Sequence, residues 1–356
     1  MDNLKLIIEC DMDDLKIKQL HEICDVKYCL PDLGCYVVEA SVDNISAIEE
    51  LGGAITVHNA TVITAQEAAD NDRKPPREIS MIPESLEGYD GSGVTIAFLD
   101  TGISPASDFG NRIVAFADFI NNRQTPYDDN AHGTHVAGIA SGSGAASGGR
   151  FVGVAPGSDI ISVKVLDETG KSDTAEVLAG MQWVLNNMHK YNIRVCNLSV
   201  GAVIPCTALV KAAEKLWDRG VIVCAAAGND GPLPGSVTSP GCSRKVITVG
   251  ASDDHHTVTI WGQKSINFSG IGPTRECIVK PDIITLGTDI VSVKADEAGL
   301  RRSRRAELHR VAPGYIKMSG TSMATPYISG LVARMLQKKP NLSQDKVKYM
   351  LKYEDF

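Results

Sequence analysis

Short, near-continuous apolar runs recur through the middle of this chain, and helix-like stretches fall between or beside them. The runs are Val94–Leu99 and residues 160–165, 192–196, 221–227 and 246–249. Each reads as a strand buried on both faces. Residues 132–141, 174–189, 207–218 and 322–337 carry apolar residues at helical spacing. Buried strands alternating with helices predict a parallel sheet covered on both sides. In open sheets of that class, functional side chains collect at the carboxyl ends of the strands.

The first 65 or so residues follow a different plan. Residues 3–10 predict a strand, and residues 13–24 a helix through Leu15, Ile17, Leu20 and Ile23. Strands at 26–30 and 35–40 flank the turn Pro31-Asp32-Leu33-Gly34, a helix at 43–51 follows with Asp43 as its N-cap, and a last strand fits 55–63. The order βαββαβ is the ferredoxin-like pattern. Glu67 to Pro76 is charged and polar and ends in Lys74-Pro75-Pro76, the composition of a linker. A chain of 356 residues thus divides into a small α+β unit at 1–66, a linker at 67–80 and a large α/β domain at 81–356. Residues 142–149, rich in Gly and Ser, predict a flexible loop.

A net charge of −8 gives no broad electrostatic case for nucleic acid. The start Met1-Asp2-Asn3-Leu4-Lys5-Leu6-Ile7-Ile8-Glu9-Cys10 lacks the pattern of a secretion signal, which predicts a cytoplasmic protein. No run approaches the roughly 18–20 apolar residues that span a membrane. The nine cysteines are odd in number and form no C-x-x-C pair. Reduced, buried thiols such as Cys196 and Cys224 fit better than a disulfide framework, and Cys and His nowhere cluster at zinc-ligand spacing.

Four segments carry candidate chemistry. Gly320-Thr321-Ser322-Met323-Ala324-Thr325-Pro326 puts a serine where an apolar helix begins. Ser322 there can serve as an N-cap, or as a nucleophile beside unpaired backbone N–H groups. Asp100 ends the apolar run 94–99 and can cap a turn or face a functional group. His132-Gly133-Thr134-His135 offers a metal pair without a third ligand, or a base that accepts a serine proton. Asn229, after Ala225-Ala226-Ala227-Gly228, can shape a turn or aim an amide N–H at an oxyanion. A serine hydroxyl is a weak nucleophile near neutral pH, and it needs a base, an orienting carboxylate and donors for the tetrahedral intermediate. Asp100, His132, Asn229 and Ser322 fill those roles together.

With Leu99-Asp100-Thr101-Gly102, His132-Gly133-Thr134-His135-Val136-Ala137-Gly138, Ala225-Ala226-Ala227-Gly228-Asn229 and the Ser322 segment in this order, the chain resembles the subtilisin-like serine proteases, the subtilases, from about Gly88 to Leu351. The resemblance implies Ser322 as nucleophile, His132 as general base and acid, Asp100 as its partner, and Asn229 with the Ser322 N–H as oxyanion hole. It implies a structural His135. It also implies that peptide substrates add as a β-strand between Leu198-Ser199-Val200-Gly201 and Gly170-Lys171-Ser172. A first pocket would be walled by Ala226, Ala227 and Gly228, with Thr238 as its floor.

The N-terminal unit resembles the family's propeptide, an attached chaperone and inhibitor. Aligned without gaps, its end puts autocleavage between Gln66 and Glu67, with Ile63 in the apolar pocket four residues upstream of the cut. The alternative is a latent complex in which this unit stays bound and the protein serves as a regulatory or binding module. The reduced cysteines, Tyr127-Asp128-Asp129-Asn130 and Lys280-Pro281-Asp282-Ile283 point to an intracellular branch. No cofactor is required on this reading. Calcium is compatible with weaker sites, but the family's strong calcium loop is not supported, because residues 141–150 hold no carboxylate or asparagine. The basic run Arg301-Arg302-Ser303-Arg304-Arg305 reads as a solvated loop.

Overall fold

A computed structural model of the chain describes residues 3–9, 14–51, 56–65, 82–202, 204–255, 258–260, 263–300 and 309–354. The linker expected at 67–80 and the basic run 301–305 lie outside them.

The large domain is built on a seven-stranded sheet in the order Ile283–Thr285, Ile247–Ala251, Ile222–Ala226, Ile193–Leu198, Thr95–Asp100, Asp159–Lys164, Ile113–Asp118. Every pairing within it is parallel. The strands Thr95–Asp100 and Ile222–Ala226 are buried along their whole length. That burial is why their sequences run apolar instead of alternating. Two helix pairs provide the cover. His132–Ser141 packs on Thr321–Lys338, and Thr174–Asn187 packs on Thr207–Asp218. The predicted helices agree with these to within two residues at each end. The Gly- and Ser-rich loop contains a short helical turn, Ala145–Ser147, closed by hydrogen bonds from the Ser147 and Gly149 N–H groups to the Gly144 carbonyl.

The small domain is a four-stranded antiparallel sheet in the order Asp25–Leu30, Cys35–Ala40, Leu4–Glu9, Thr56–Asn59, with helices Asp14–Ile23 and Ile45–Glu49. Asp43 does not cap the second helix; it sits inside the helical turn Val42–Asn44 that leads into it. Because side chains alternate along a strand, this sheet has two apolar faces. Leu6, Ile8, Tyr36 and Val38 pack with Leu20 and Ile48 in the small domain's own core. Ile7, Cys35 and Val37 face the other way and join the core of the large domain. This second face lies against the helices Thr174–Asn187 and Thr207–Asp218. Polar contacts rim the interface. Asp32 N–H donates to Gln182 Oε1 at 3.1 Å, Gln182 Nε2 donates to Asp32 Oδ2 at 2.7 Å, and Lys211 pairs with Glu9.

The single strand expected at 55–63 is two strands in two sheets. Thr56–Asn59 closes the small domain, whereas Val62–Ala65 enters the large one. Between them, Thr61 is held by the Thr174 hydroxyl, which accepts its N–H at 3.0 Å and donates to its carbonyl at 3.0 Å. Neither glycine nor proline interrupts residues 56–65, so the sequence carries no breaker where the chain changes sheets.

Truncating one residue of each face separates their tasks. Ile8→Ala should destabilise the small domain itself by about 2–5 kcal/mol, and Ile7→Ala should weaken its attachment by a similar amount. Limited proteolysis and urea titration of the full chain distinguish the two losses; identical behaviour of the two variants would contradict the two-face assignment.

Candidate active site

Asp100 is the last residue of its strand, and His132 is the first residue of the helix His132–Ser141. Their side chains meet in the interior, with His132 Nδ1 2.7 Å from Asp100 Oδ1 and both side chains at most 1% exposed. The same Asp100 oxygen accepts the Thr101 N–H at 2.7 Å. The His135 Nε2 lies 3.0 Å from the Ile290 carbonyl oxygen, on a different element from the partner of His132.

The contact requires the helix to start almost against the strand end. A Cβ on Gly133 would strike the Gly102 carbonyl, so only glycine allows the approach. Ala131, just before the helix, is held at φ 90°, a left-handed conformation uncommon for a residue with a side chain. Asp128 supplies the restraint. Its buried carboxylate accepts from the N–H groups of Asn130 (3.0 Å), Ala131 (2.9 Å) and Thr134 (2.9 Å) and from the hydroxyls of Thr101 (2.9 Å) and Thr134 (2.7 Å). Thr101 Oγ1 in turn accepts the Gly133 N–H at 2.9 Å. One carboxylate at the positive end of the helix therefore ties the neighbour of Asp100 to the neighbour of His132. Lys164 holds the other side. Its fully buried ammonium donates to the carbonyls of Thr101 (2.6 Å) and Leu166 (2.8 Å) and to Asp129 (2.6 Å).

Ser322 is the second residue of the helix Thr321–Lys338, whose N-cap is Gly320. It is therefore not a cap. Its hydroxyl donates to the Ser199 carbonyl at 2.9 Å, while the Ser199 hydroxyl donates to the Ser322 carbonyl at 3.0 Å. Asn197 and Ser329 extend this buried chain, with Asn197 Nδ2 donating to Ser199 Oγ at 3.0 Å and Ser329 Oγ to Asn197 Oδ1 at 2.9 Å. Asn229 accepts the Thr321 N–H and hydroxyl on Oδ1, each at 3.0 Å. Its amide is thereby fixed with Nδ2 buried and without a hydrogen-bond partner. A buried donor left unpaired costs free energy unless something else fills the place, so this nitrogen marks a site for an acceptor.

The two expected binding segments flank a strand of the chain itself. Val62–Ala65 runs antiparallel to both Val200–Gly201 and Lys171–Asp173. Ala65 stands opposite Val200, and Thr64 opposite Gly201 on one side and Lys171 on the other. The Ala65 N–H donates to the Gly170 carbonyl at 2.9 Å, and Ser172 stands opposite Ile63. Ile63 and Ala65 turn inward while Val62 is exposed. Leu198 ends the adjoining sheet strand. Ala226, Ala227 and Gly228 are buried beyond it, and the Thr238 side chain sits where a Gly228 Cβ would be. Gln66 and Glu67 lie outside the described residues.

The sequence reading missed Asp128, Lys164 and Asn197 as parts of this arrangement. A lysine inside an apolar strand was the available signal for Lys164, since a buried ammonium must find acceptors. Among the described residues, no group of three or more His, Cys, Asp or Glu is placed to hold a metal. The carboxylate that reaches the loop Gly142–Gly149, Asp108, accepts from the Ala146 N–H at 3.1 Å and the Tyr315 hydroxyl at 2.6 Å.

Known proteins are similar to this chain in sequence and fold. The subtilase family model matches residues 91–353. Serine protease AprX of Bacillus subtilis (strain 168) is 41% identical over 275 residues, covering 74% of this chain and 61% of that protein. An alkaline protease of Alkalihalobacillus alcalophilus is 30% identical over 355 residues, 98% of this chain and 80% of its own length. A cold-adapted subtilisin-like serine proteinase of known structure matches with a TM-score of 0.59 at 31% identity, over 79% of this chain and 89% of that one. Fervidolysin from Fervidobacterium pennivorans shares the fold over 98% of this chain and 57% of its own, with a TM-score of 0.75 at 20% identity.

Asp128→Ala would leave buried donors without an acceptor. In a Ser322→Ala background it should lower the unfolding free energy by about 3 kcal/mol. Urea denaturation measures this, and a loss below about 0.5 kcal/mol would show that the carboxylate restrains nothing.

Proposed function

The chain belongs to the subtilase family, and from that membership we propose that it is a serine endopeptidase made as a self-inhibited precursor. The observation that carries the reading is the strand Val62–Ala65, a length of peptide seated between Val200–Gly201 and Lys171–Asp173. A cleft that pairs with extended backbone on both sides recognises peptides by main-chain hydrogen bonds, largely irrespective of sequence.

Chemistry follows from the neighbours of that strand. Ser322 Oγ attacks the scissile carbonyl carbon and passes its proton to His132 Nε2. Asp100, 2.7 Å from Nδ1, fixes the tautomer and stabilises the imidazolium. The oxyanion accepts from Asn229 Nδ2 and the Ser322 N–H, both at a helix start whose field favours negative charge. His132 then protonates the leaving amine, and water repeats the sequence on the acyl-enzyme. The Ser322 hydroxyl must first leave the Ser199 carbonyl. Two residues on from Thr64 opposite Gly201, the ladder reaches Ser199, so a substrate N–H at that position takes over the carbonyl and frees the hydroxyl.

The same count supports Gln66 as the residue before the cut. Residues 1–66 act on this reading as an inhibitor that leaves its tail in the cleft. Ile63 fills an apolar subsite, Ala65 a small one, and Ala226, Ala227, Gly228 and Thr238 wall the pocket for the residue at the cut. The eight described cysteines are thiols, four of them buried, which supports action in a reducing compartment such as the cytoplasm. A second reading, that the cut inhibitor stays bound and the complex regulates or binds, is favoured by the shared core that includes Ile7, Val37 and Ile63.

Wild type should separate on a denaturing gel into fragments of about 7 and 31 kDa by residue count, the larger beginning at Glu67, while Ser322→Ala stays whole. A wild-type chain that stays whole and ignores peptide substrates would reject the protease reading. A cut chain that remains inert would favour the second one. Asn229→Leu should lower kcat by about 10²–10³ with KM little changed, the size of the effect that losing one such donor has in subtilisin.

A further inference from the structure

Where the small domain meets the helix Thr174–Asn187, one ammonium faces two carboxylates. Lys5 Nζ lies 2.5 Å from Asp173 Oδ2 and 3.0 Å from Glu176 Oε1. Asp173 is committed twice, because it also caps the helix by accepting the Ala175 N–H at 2.7 Å. The second Glu176 oxygen, Oε2, is buried and has no partner. Among the described residues, the other charged and titratable groups nearby do not balance the surplus. Lys27 is taken by Asp25 at 2.7 Å and Glu39 at 3.3 Å, and Tyr28, on the same strand, is a neutral phenol whose ionisation this cluster disfavours.

The docked interface therefore encloses one negative charge too many. Burying it without compensation is expensive, and a proton is the cheapest remedy. A proton on Asp173 would displace either Lys5 from Oδ2 or the Ala175 N–H of the helix cap from Oδ1, so it falls to Glu176. Burial, with the adjoining Asp173 carboxylate, pushes Glu176 up from its ordinary 4.5 to about 7.

We infer that Lys5, Asp173 and Glu176 form a proton-linked latch, holding the small domain on the large one in mild acid and loosening as pH rises to neutrality. The inference rests on the reading of residues 1–66 as an attached inhibitor. When the domain leaves, Glu176 returns to water and gives its proton to solvent. A carboxyl raised in the docked state contributes its full stabilisation below its ordinary value and loses it as pH climbs through the raised one. The window thus runs from about pH 4.5 to pH 7, and within it docking weakens by up to tenfold per pH unit. Above it the dependence flattens.

The test uses the uncut full chain carrying Ser322→Ala. Hydrogen exchange of residues 4–9 and 174–187, corrected for intrinsic rate, should show protection falling at least tenfold between pH 5.5 and 7.5. Adding Glu176→Gln, which keeps the shape but no titratable proton, should remove that fall. Lys5→Met, a second route if the glutamine variant folds poorly, should extend the fall to higher pH. Protection that is flat with pH, or that falls equally with Glu176→Gln, overturns the latch. In parallel, self-cut wild type should co-elute with its small fragment at pH 5.5 and shed it by pH 7.5, and co-elution unchanged at both values overturns it too. Wild type that never cuts itself defeats the protease reading alone, since the uncut variant still decides the latch.

Discussion

The site depends on how closely the start of the helix His132–Ser141 is pressed against the end of the strand Thr95–Asp100. Buried Asp100 and His132 meet at 2.7 Å where backbone also meets backbone, and Gly133 permits that close approach by having no side chain. The approach is held by groups that each have a stake in both elements. Asp128 takes N–H groups from the helix and the hydroxyl of Thr101, and Lys164 takes the Thr101 carbonyl from beneath. Buried charges are costly unless fully partnered, and here each is surrounded by hydrogen-bonding groups. The left-handed Ala131 is the local strain this arrangement tolerates.

The other half of the architecture is a division of one small sheet into two tasks. Leu6, Ile8 and Val38 keep the N-terminal domain folded, while Ile7 and Val37, one residue out of phase, attach it to the large domain. That attachment delivers Val62–Ala65 to the cleft at a fixed register. Thr61, just before that strand, is held by Thr174 at the start of the helix that also bears Glu176, so the domain interface and the seated strand share one helix start. Inhibition on the proposed reading is therefore a property of the whole interface and not of the tail alone.

Much of this was legible in the sequence. The buried strands announced themselves because two-sided cover forces apolar runs, and the helices because one face of each is apolar. Asp100, His132, Asn229 and Ser322 stood out because each lies at or near the edge of a regular element, and because their four segments, in this order, resemble one family. The split of residues 55–63 was not legible, since no glycine or proline marks the junction between the two strands. Nor was the part played by Asp128, because the motif segments that hold its partners Thr101 and Thr134 do not say which side chain those threonines face. Pairings such as Lys5 with Asp173 and Glu176 join residues far apart in the chain, and only packing brings them together.

The central claim is that Ser322, among all the serines of the chain, is the one that the fold turns into a nucleophile. Treating the purified wild-type protein with a fluorophosphonate and mapping the adduct by peptide mass spectrometry tests it directly. The account predicts a single stoichiometric adduct on Ser322, formed on the chain that has lost residues 1–66 and absent from His132→Ala. An adduct on another serine, or none on a chain that has shed its N-terminal domain, would contradict it.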